Sequence, residues 1–174
     1  MYIPKRYIPT TLTNKDKKKQ RQNILKSRKL YTKGKYYTRP TVRSYKSKPS
    51  NHVKTAKKLY GVSTVKPSRK LAIKTGCSTN TLISIVNKGR AAYYSGGSRP
   101  NQTPDSWGIA RLASTITGGN ASVVDYHLLH SGCKPNSKAL KLATKTCRKK
   151  GKCQKYTVKT VSYTHLTLPT TPYV

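Results

Sequence analysis

The feature that most constrains this chain is where its charge lies. Residues 75–133 carry four cations (Lys88, Arg90, Arg99, Arg111) and two acids (Asp105, Asp125), so this stretch is almost neutral. Residues 1–74 carry 23 cations and one acid, and residues 134–159 carry ten cations and no acid. Burying a charge without a partner is costly, so the centre must supply most of any core. The flanks have to stay in water or meet an external polyanion. With 37 Lys and Arg against three Asp and no Glu, the net charge is +34. A compact state of that charge repels itself, and neutralising phosphates would relieve the repulsion and release counterions. Nucleic acid is therefore the expected partner, with the flanks supplying affinity and the centre any specific chemistry. At 174 residues the chain can form one domain with tails.

Anionic membrane is the competing polyanion. No segment nears the length of a transmembrane helix, and MYIPKRYIP lacks the apolar run of a signal peptide. The expectation is a protein made inside the cell, not secreted and with no membrane partner. On that ground Cys77, Cys133, Cys147 and Cys153, which lack dense disulfide spacing, are expected as free thiols.

The punctuation predicts an all-α fold: a small helical domain with a helix-turn-helix-like pair, flanked by basic extended and helical arms. Residues 1–60 form the N-terminal arm, 61–133 the domain, 134–159 a basic C-terminal helix and 160–174 a tail. Within the arm, Pro4 and Pro9 keep residues 1–12 extended, and Asn14 caps a helix to about Tyr31, with Gly34 as its stop. The apolar residues of that helix, Ile24, Leu25 and Leu30, are too few to anchor it, so full order is expected on a partner. Residues 33–50 read as an extended arm. Lys17, Lys18, Lys19, Arg21, Arg28, Lys29, Arg39 and Arg43 are assigned to phosphates, and Tyr36 and Tyr37 to stacking on bases or sugars. The alternative for this segment is a solvated linker whose tyrosines pack on the domain. Asn51 then caps a short helix to Tyr60, closed by Gly61.

Residues 68–87, SRKLAIKTGCSTNTLISIVN, carry the helix-turn-helix signal. Ser68 caps the first helix, Ala72 is the small residue at the crossing, and Gly76 makes the turn. Ser78 or Thr79 caps the second helix, whose Leu82, Ile83, Ile85 and Val86 precede a stop at Gly89. TGCSTNTLISIVN resembles the AGVS…TVSRVVN of lactose-repressor-type helix-turn-helix proteins. That resemblance implies that Ser78, Thr79, Asn80 and Ser84 face bases in the major groove. The second helix departs from the family in having no cation before Lys88. A corner that only packs the core is the other reading.

After an irregular AAYYSGGSRPNQ, Thr103-Pro104-Asp105 announces a helix through Trp107 and Arg111 to Gly118-Gly119. Gly97 and Ser98 could offer backbone N–H groups to an anion, with Arg99, Arg111 and the helix start at Thr103 and Trp107 completing the site. Equally, Arg99 could bond carbonyls while Trp107 fills the core. A helix over about Ser122 to His130 and a last basic one after Asn136 or Ser137 follow.

The same segment resembles an uncharacterised domain family of large eukaryotic DNA viruses, with relatives in tailed phages. Its pattern is G-x-x-AYYSSGSRPNQT…SWG-x-AR-x-S…TGG-x-A…DYH-x-L. Gly89, Ala92, Tyr93, Tyr94, Gly97, Arg99, Pro100, Thr103, Trp107, Ala110, Arg111, Ser114, Gly118 and Asp125 match it, while Gly96 stands where serine is usual. The likeness spans about residues 1–145 and is specific over 89–130. It implies a viral origin, in a virion or an infected host cell, and no activity.

Chemistry beyond binding has little support. His127, His130 and Cys133 share a spacing that suits zinc, but no C-x2-C pair accompanies them and no metal or other cofactor is assigned. Two-metal chemistry needs several carboxylates, and the centre has two. Cys77 with His127, or Ser98 with His127 and Asp125, lacks any local nucleophile signature. The expected function is thus a non-enzymatic viral accessory or virion protein binding nucleic acid, with DNA favoured over RNA. The alternatives are a capsid-associated protein whose arms contact the shell, or other virion proteins, or the packaged genome, and a small nucleic-acid-processing enzyme. The uncharged tail, TVSYTHLTLPTTPYV, resembles a translated library adapter, especially VSYTHL, rather than an ordinary Thr/Pro-rich terminus, and is given no function.

Overall fold

Capping residues set most of the helix boundaries. The computed structural model describes residues 1–153, and within them the chain is all-α: a 3-10 turn at Lys5–Tyr7, then α1 (Asn14–Tyr31), α2 (Asn51–Tyr60), α3 (Arg69–Thr75), α4 (Thr79–Ser95), α5 (Pro104–Ile116), α6 (Asn120–Val124), α7 (Tyr126–Gly132) and α8 (Lys138–Lys149). Ser68, Ser78 and Ser137 each accept the N–H three residues on, as N-caps do. Thr103 and Ser106 form a reciprocal capping box around Pro104. Thr13, rather than Asn14, caps α1. The 160–174 tail and the end of the expected C-terminal helix lie outside the described residues. No helix among those described is long and apolar enough to cross a membrane.

The neutral centre supplies the largest single share of the core, and the basic segments on both sides supply the rest, Leu71 among them. Leu71, Leu82, Ile85, Leu112, Ile116 and Leu129 form one buried cluster with Ala56 and Tyr60 of α2 and Ala139, Leu140 and Ala143 of α8. At its heart α4 and α5 pack through glycines. A Cβ on Gly89 would lie 2.6 Å from Gly108 Cα, and one on Gly108 would lie 2.8 Å from the Val86 carbonyl oxygen. The expected stop at Gly89 is therefore wrong. This glycine serves helix contact, and α4 runs on to Ser95. The single helix expected before Gly132 is also two, α6 and α7, broken at Asp125.

The helix-turn-helix-like pair is α3 and α4, with Gly76 left-handed at φ +74°. The turn is not open. Ser78 N–H donates to the Gly132 carbonyl and Lys134 N–H to the Gly76 carbonyl, both at 2.8 Å. These bonds set Cys77 opposite Cys133 as an isolated antiparallel bridge pair, and the two are joined as a disulfide. Cys147 and Cys153 are also paired, so the four cysteines are not free thiols as expected. The partner of Cys77 lies 56 residues away, and only the fold brings it close.

Because backbone atoms of both helices block a side chain at the α4–α5 crossing, Gly108→Ala should cost about 1–3 kcal/mol of overpacking. Gly34→Ala meets open space and only left-handed backbone, at φ +70°. Chemical denaturation of both variants should show the larger loss at Gly108.

Candidate nucleic-acid interface

The basic N-terminal segment is docked on the domain, and polar groups hold it there. The inner face of α1 presents Gln20, Ile24 and Ser27, all buried, at helical spacing. Gln20 Nε2 donates to the carbonyls of Tyr7 (3.2 Å) and Ser98 (3.3 Å), and Ser27 Oγ donates to that of Tyr94 (3.1 Å). Arg28 donates through Nε and Nη2 to the Gly96 carbonyl (3.1 and 2.6 Å) and through Nη1 to that of Tyr2 (3.0 Å).

Arg39, 7% exposed, is the centre of the arrangement. Its guanidinium donates to the Tyr93 carbonyl (2.8 Å), Ser98 Oγ (2.6 Å) and Ser27 Oγ (3.3 Å) and lies 3.7 Å over the Tyr93 ring. Its backbone N–H donates to the Tyr93 hydroxyl at 2.9 Å. Burial pushes its pKa down, and the facing Tyr93 opposes that. Beyond it, Asn101 Oδ1 accepts from Val42 N–H while Nδ2 donates to the carbonyls of Val42 and Tyr45. Asp16 accepts from the backbone N–H and hydroxyl of Ser44, which hold its carboxyl below the usual range. Leu12, Ile24, Val42 and Tyr93 are buried beneath. Contrary to the expectation that α1 is too weakly anchored to order alone, it is docked here, because hydrogen bonds to the carbonyls and hydroxyls at the end of α4 and in the loop after it do what apolar residues cannot.

This docking fixes which cations face out. Lys15, Lys18, Lys19, Arg21, Lys26 and Lys29 are exposed on the side of α1 opposite Gln20, Ile24 and Ser27. From Lys15 to Lys29 the stripe extends roughly 21 Å at the α-helical rise. Arg43 and Tyr36 are exposed as well, and Lys17 is half-buried. Of the residues assigned to nucleic acid, Arg28 and Arg39 are instead occupied by protein acceptors, and Lys19 Nζ donates to the Thr41 carbonyl at 3.2 Å. Tyr37 donates its hydroxyl to Asn23 Oδ1 at 2.9 Å and lies under Lys26 Nζ. Lys15 and Lys26 were missed in the sequence, although helical periodicity alone would have added them to the stripe.

The residues expected to form a central anion site are dispersed. Arg111 makes a two-pronged pair with Asp125 (Nε–Oδ2 2.8 Å, Nη2–Oδ1 2.7 Å), joined by Lys88 at 3.0 Å and Thr115 at 3.1 Å. The N–H groups of Gly96 and Gly97 both cap α4 through the Ala92 carbonyl, so they are not turned to a ligand. Gly97 lies under Ile24 and Tyr7, Ser98 is bound by Arg39, Thr103 caps α5, and Trp107 meets Tyr7 edge-on. Arg99 is exposed. On α4, Asn80 and Ser84 face solvent and Thr79 is half-buried, while Ser78 spends its hydroxyl on the cap. Neither nucleophile set survives either, since Cys77 is in a disulfide and Asp125 is held by Arg111. Cys133 shares that disulfide and is not available as a thiolate ligand beside His127 and His130.

Residues 4–138, from the N-terminal strap to the first residue of α8, match the model of DUF5824, a family of unknown function. The chain belongs to this family. No curated protein and no solved structure matches the chain. The DUF5824 match takes in α1, the Arg39 segment and the loop that binds them, so the docking lies within the family's own extent.

Burial alone would push the Asp125 carboxyl up, but Arg111 and Lys88 outweigh it and hold it below the usual carboxylate range. Its stabilisation is therefore present above the unfolded value of about 3.9 and lost as pH falls through the lower folded value. Asp125→Asn should cost about 3–5 kcal/mol, because Arg111 is left unpaired, and should flatten acid unfolding in that window. Arg111→Lys should lower Tm without changing nucleic-acid affinity per folded molecule. Arg99→Lys should change neither.

Proposed function

We propose that this protein binds nucleic acid through its phosphates, without reading sequence, and that the outer face of α1 is the main contact. The observation that carries the reading is the one-sided commitment of charge. Asp125 and Asp105 are taken by Lys88, Arg111 and Arg90, and Asp16, the one acid on α1, lies beside Lys15 and Lys19, so among the described residues Lys18, Arg21, Lys26 and Lys29 have no acid partner. A row of exposed cations on a docked helix has a phosphate backbone as its natural complement, and each phosphate neutralised releases counterions. Duplex DNA is favoured over RNA as the polyanion. The absence of a cation on α4 before Lys88, and the bridging of its turn, support nonspecific binding over base reading.

The likeness of residues 89–130 to a domain of large DNA viruses supports a place as an accessory or virion protein. The same structure supports binding rather than catalysis, because the carboxylates and thiols that could do chemistry are engaged in the fold.

Gln matches Lys in helix propensity, so replacing Lys15, Lys18, Lys26 and Lys29 together by Gln should leave α1 intact. The plot of log K against log salt for random duplex should become shallower by about 3–4, at about 0.9 for each phosphate that is no longer neutralised. An unchanged slope with a folded variant would contradict the assignment.

A further inference from the structure

A second basic surface lies away from α1, and its shape differs. Between α7 and α8 a groove of about 750 Å³ is lined by Tyr126, His130, Leu140, Lys141, Lys145 and Arg148, among others. Lys141, Lys145 and Arg148 are exposed and follow one another at i, i+4 and i+7 along one face of α8. The Tyr126 ring is half-buried, with its hydroxyl 3.2 Å from Thr144 Oγ1, and His130 stands exposed with its ring 6.0 Å from that of Tyr126. Among the described residues no acid lines the groove. Asp125, next in sequence to Tyr126, is fully buried, and its charge is spent on Arg111 and Lys88.

The α1 stripe is convex and can only track phosphates. The groove adds a concave space of the size that binds organic ligands, with aromatic rings inside and a line of cations along one wall. Cations for the backbone beside rings for the bases are the two parts of a single-strand binding surface. A duplex keeps its bases stacked inside and cannot offer them to such a groove. We propose that the α7–α8 groove binds single-stranded nucleic acid, taking an unstacked base against His130 and Tyr126 while Lys141, Lys145 and Arg148 hold the adjoining phosphates. This rests on the polyanion reading above and gives the protein a second binding surface of different selectivity.

The test compares the full-length chain with His130→Ala and with a Lys141→Gln, Lys145→Gln pair. Each is titrated with an oligo-dT, an abasic strand of equal length and a random duplex, with melting temperature as the folding control. Oligo-dT should bind the unmodified chain more tightly than the abasic strand. His130→Ala should erase that difference, an effect of about fivefold or more for one stacking ring, and leave duplex affinity unchanged. The paired Gln variant should weaken both single strands. A bromodeoxyuridine-substituted strand should cross-link under ultraviolet light to the tryptic peptide spanning residues 112–138, which carries Tyr126 and His130.

Equal affinity for oligo-dT and the abasic strand, or cross-links confined to other peptides, would overturn the proposal. So would competition by polyglutamate that is relieved by His130→Ala, which would assign the groove to an acidic protein segment. The α1 assignment fails on a separate readout, the duplex salt slope of the α1 variant, so the two failures are distinguishable.

Discussion

Arg39 is buried with no carboxylate among the groups its guanidinium meets, and the placement of the whole N-terminal segment depends on how it is satisfied. A lone buried cation is ordinarily prohibitive. Here two hydroxyls and a carbonyl accept its N–H groups, and the Tyr93 ring lies under its plane. Arg28 repeats the device on the Gly96 carbonyl. A chain with three acids has few ion pairs to spend, and it uses neutral oxygens and π electrons instead. Because most of those acceptors belong to the end of α4 and the loop after it, and Ser27 to α1, the conformation of that loop and the position of α1 are a single problem.

The acids follow a complementary pattern, each tying elements together. Asp125, at the break between α6 and α7, gathers Arg111 and Thr115 of α5 and Lys88 of α4. Asp16 fastens Ser44 to the first turn of α1, and Asp105 of α5 meets Arg90 of α4. With only three acids against 37 cations, the outer cations set the field around the protein. Docking then turns a diffuse basic segment into an oriented surface, which reduces the ordering cost of binding.

Much of this was legible in the sequence because it is local. Ser68, Gly76, Ser78, Gly61 and the Thr103-Pro104 start are caps and stops, and caps act within a turn of their own position. The division into a neutral centre and basic flanks located only part of the core, since the flanks bury Leu71, Tyr60 and Leu140 as well. What escaped was nonlocal. Gly89 has the signature of a stop, and only the presence of Gly108 across the helix pair reveals it as a contact. Gln20, Ser27 and Arg28 read as surface residues, because their acceptors lie 67 to 78 positions away in the chain. The disulfides were masked by an inference about compartment. Arg111 and Ser98 suggested an anion site until their actual partners, Asp125 and Arg39, accounted for them.

The claim on which the account stands is that the basic segment is already ordered on the domain without nucleic acid. Native-state hydrogen exchange of the free protein measures this directly, since amide protection reports the free energy of local opening. The account predicts that the amides of Ile24, Ser27 and Arg28 in α1, together with Arg39 and Val42, are protected to nearly the same degree as those of α4 and α5. Exchange of those amides at unprotected rates in the free protein, with protection only once DNA is added, would contradict it.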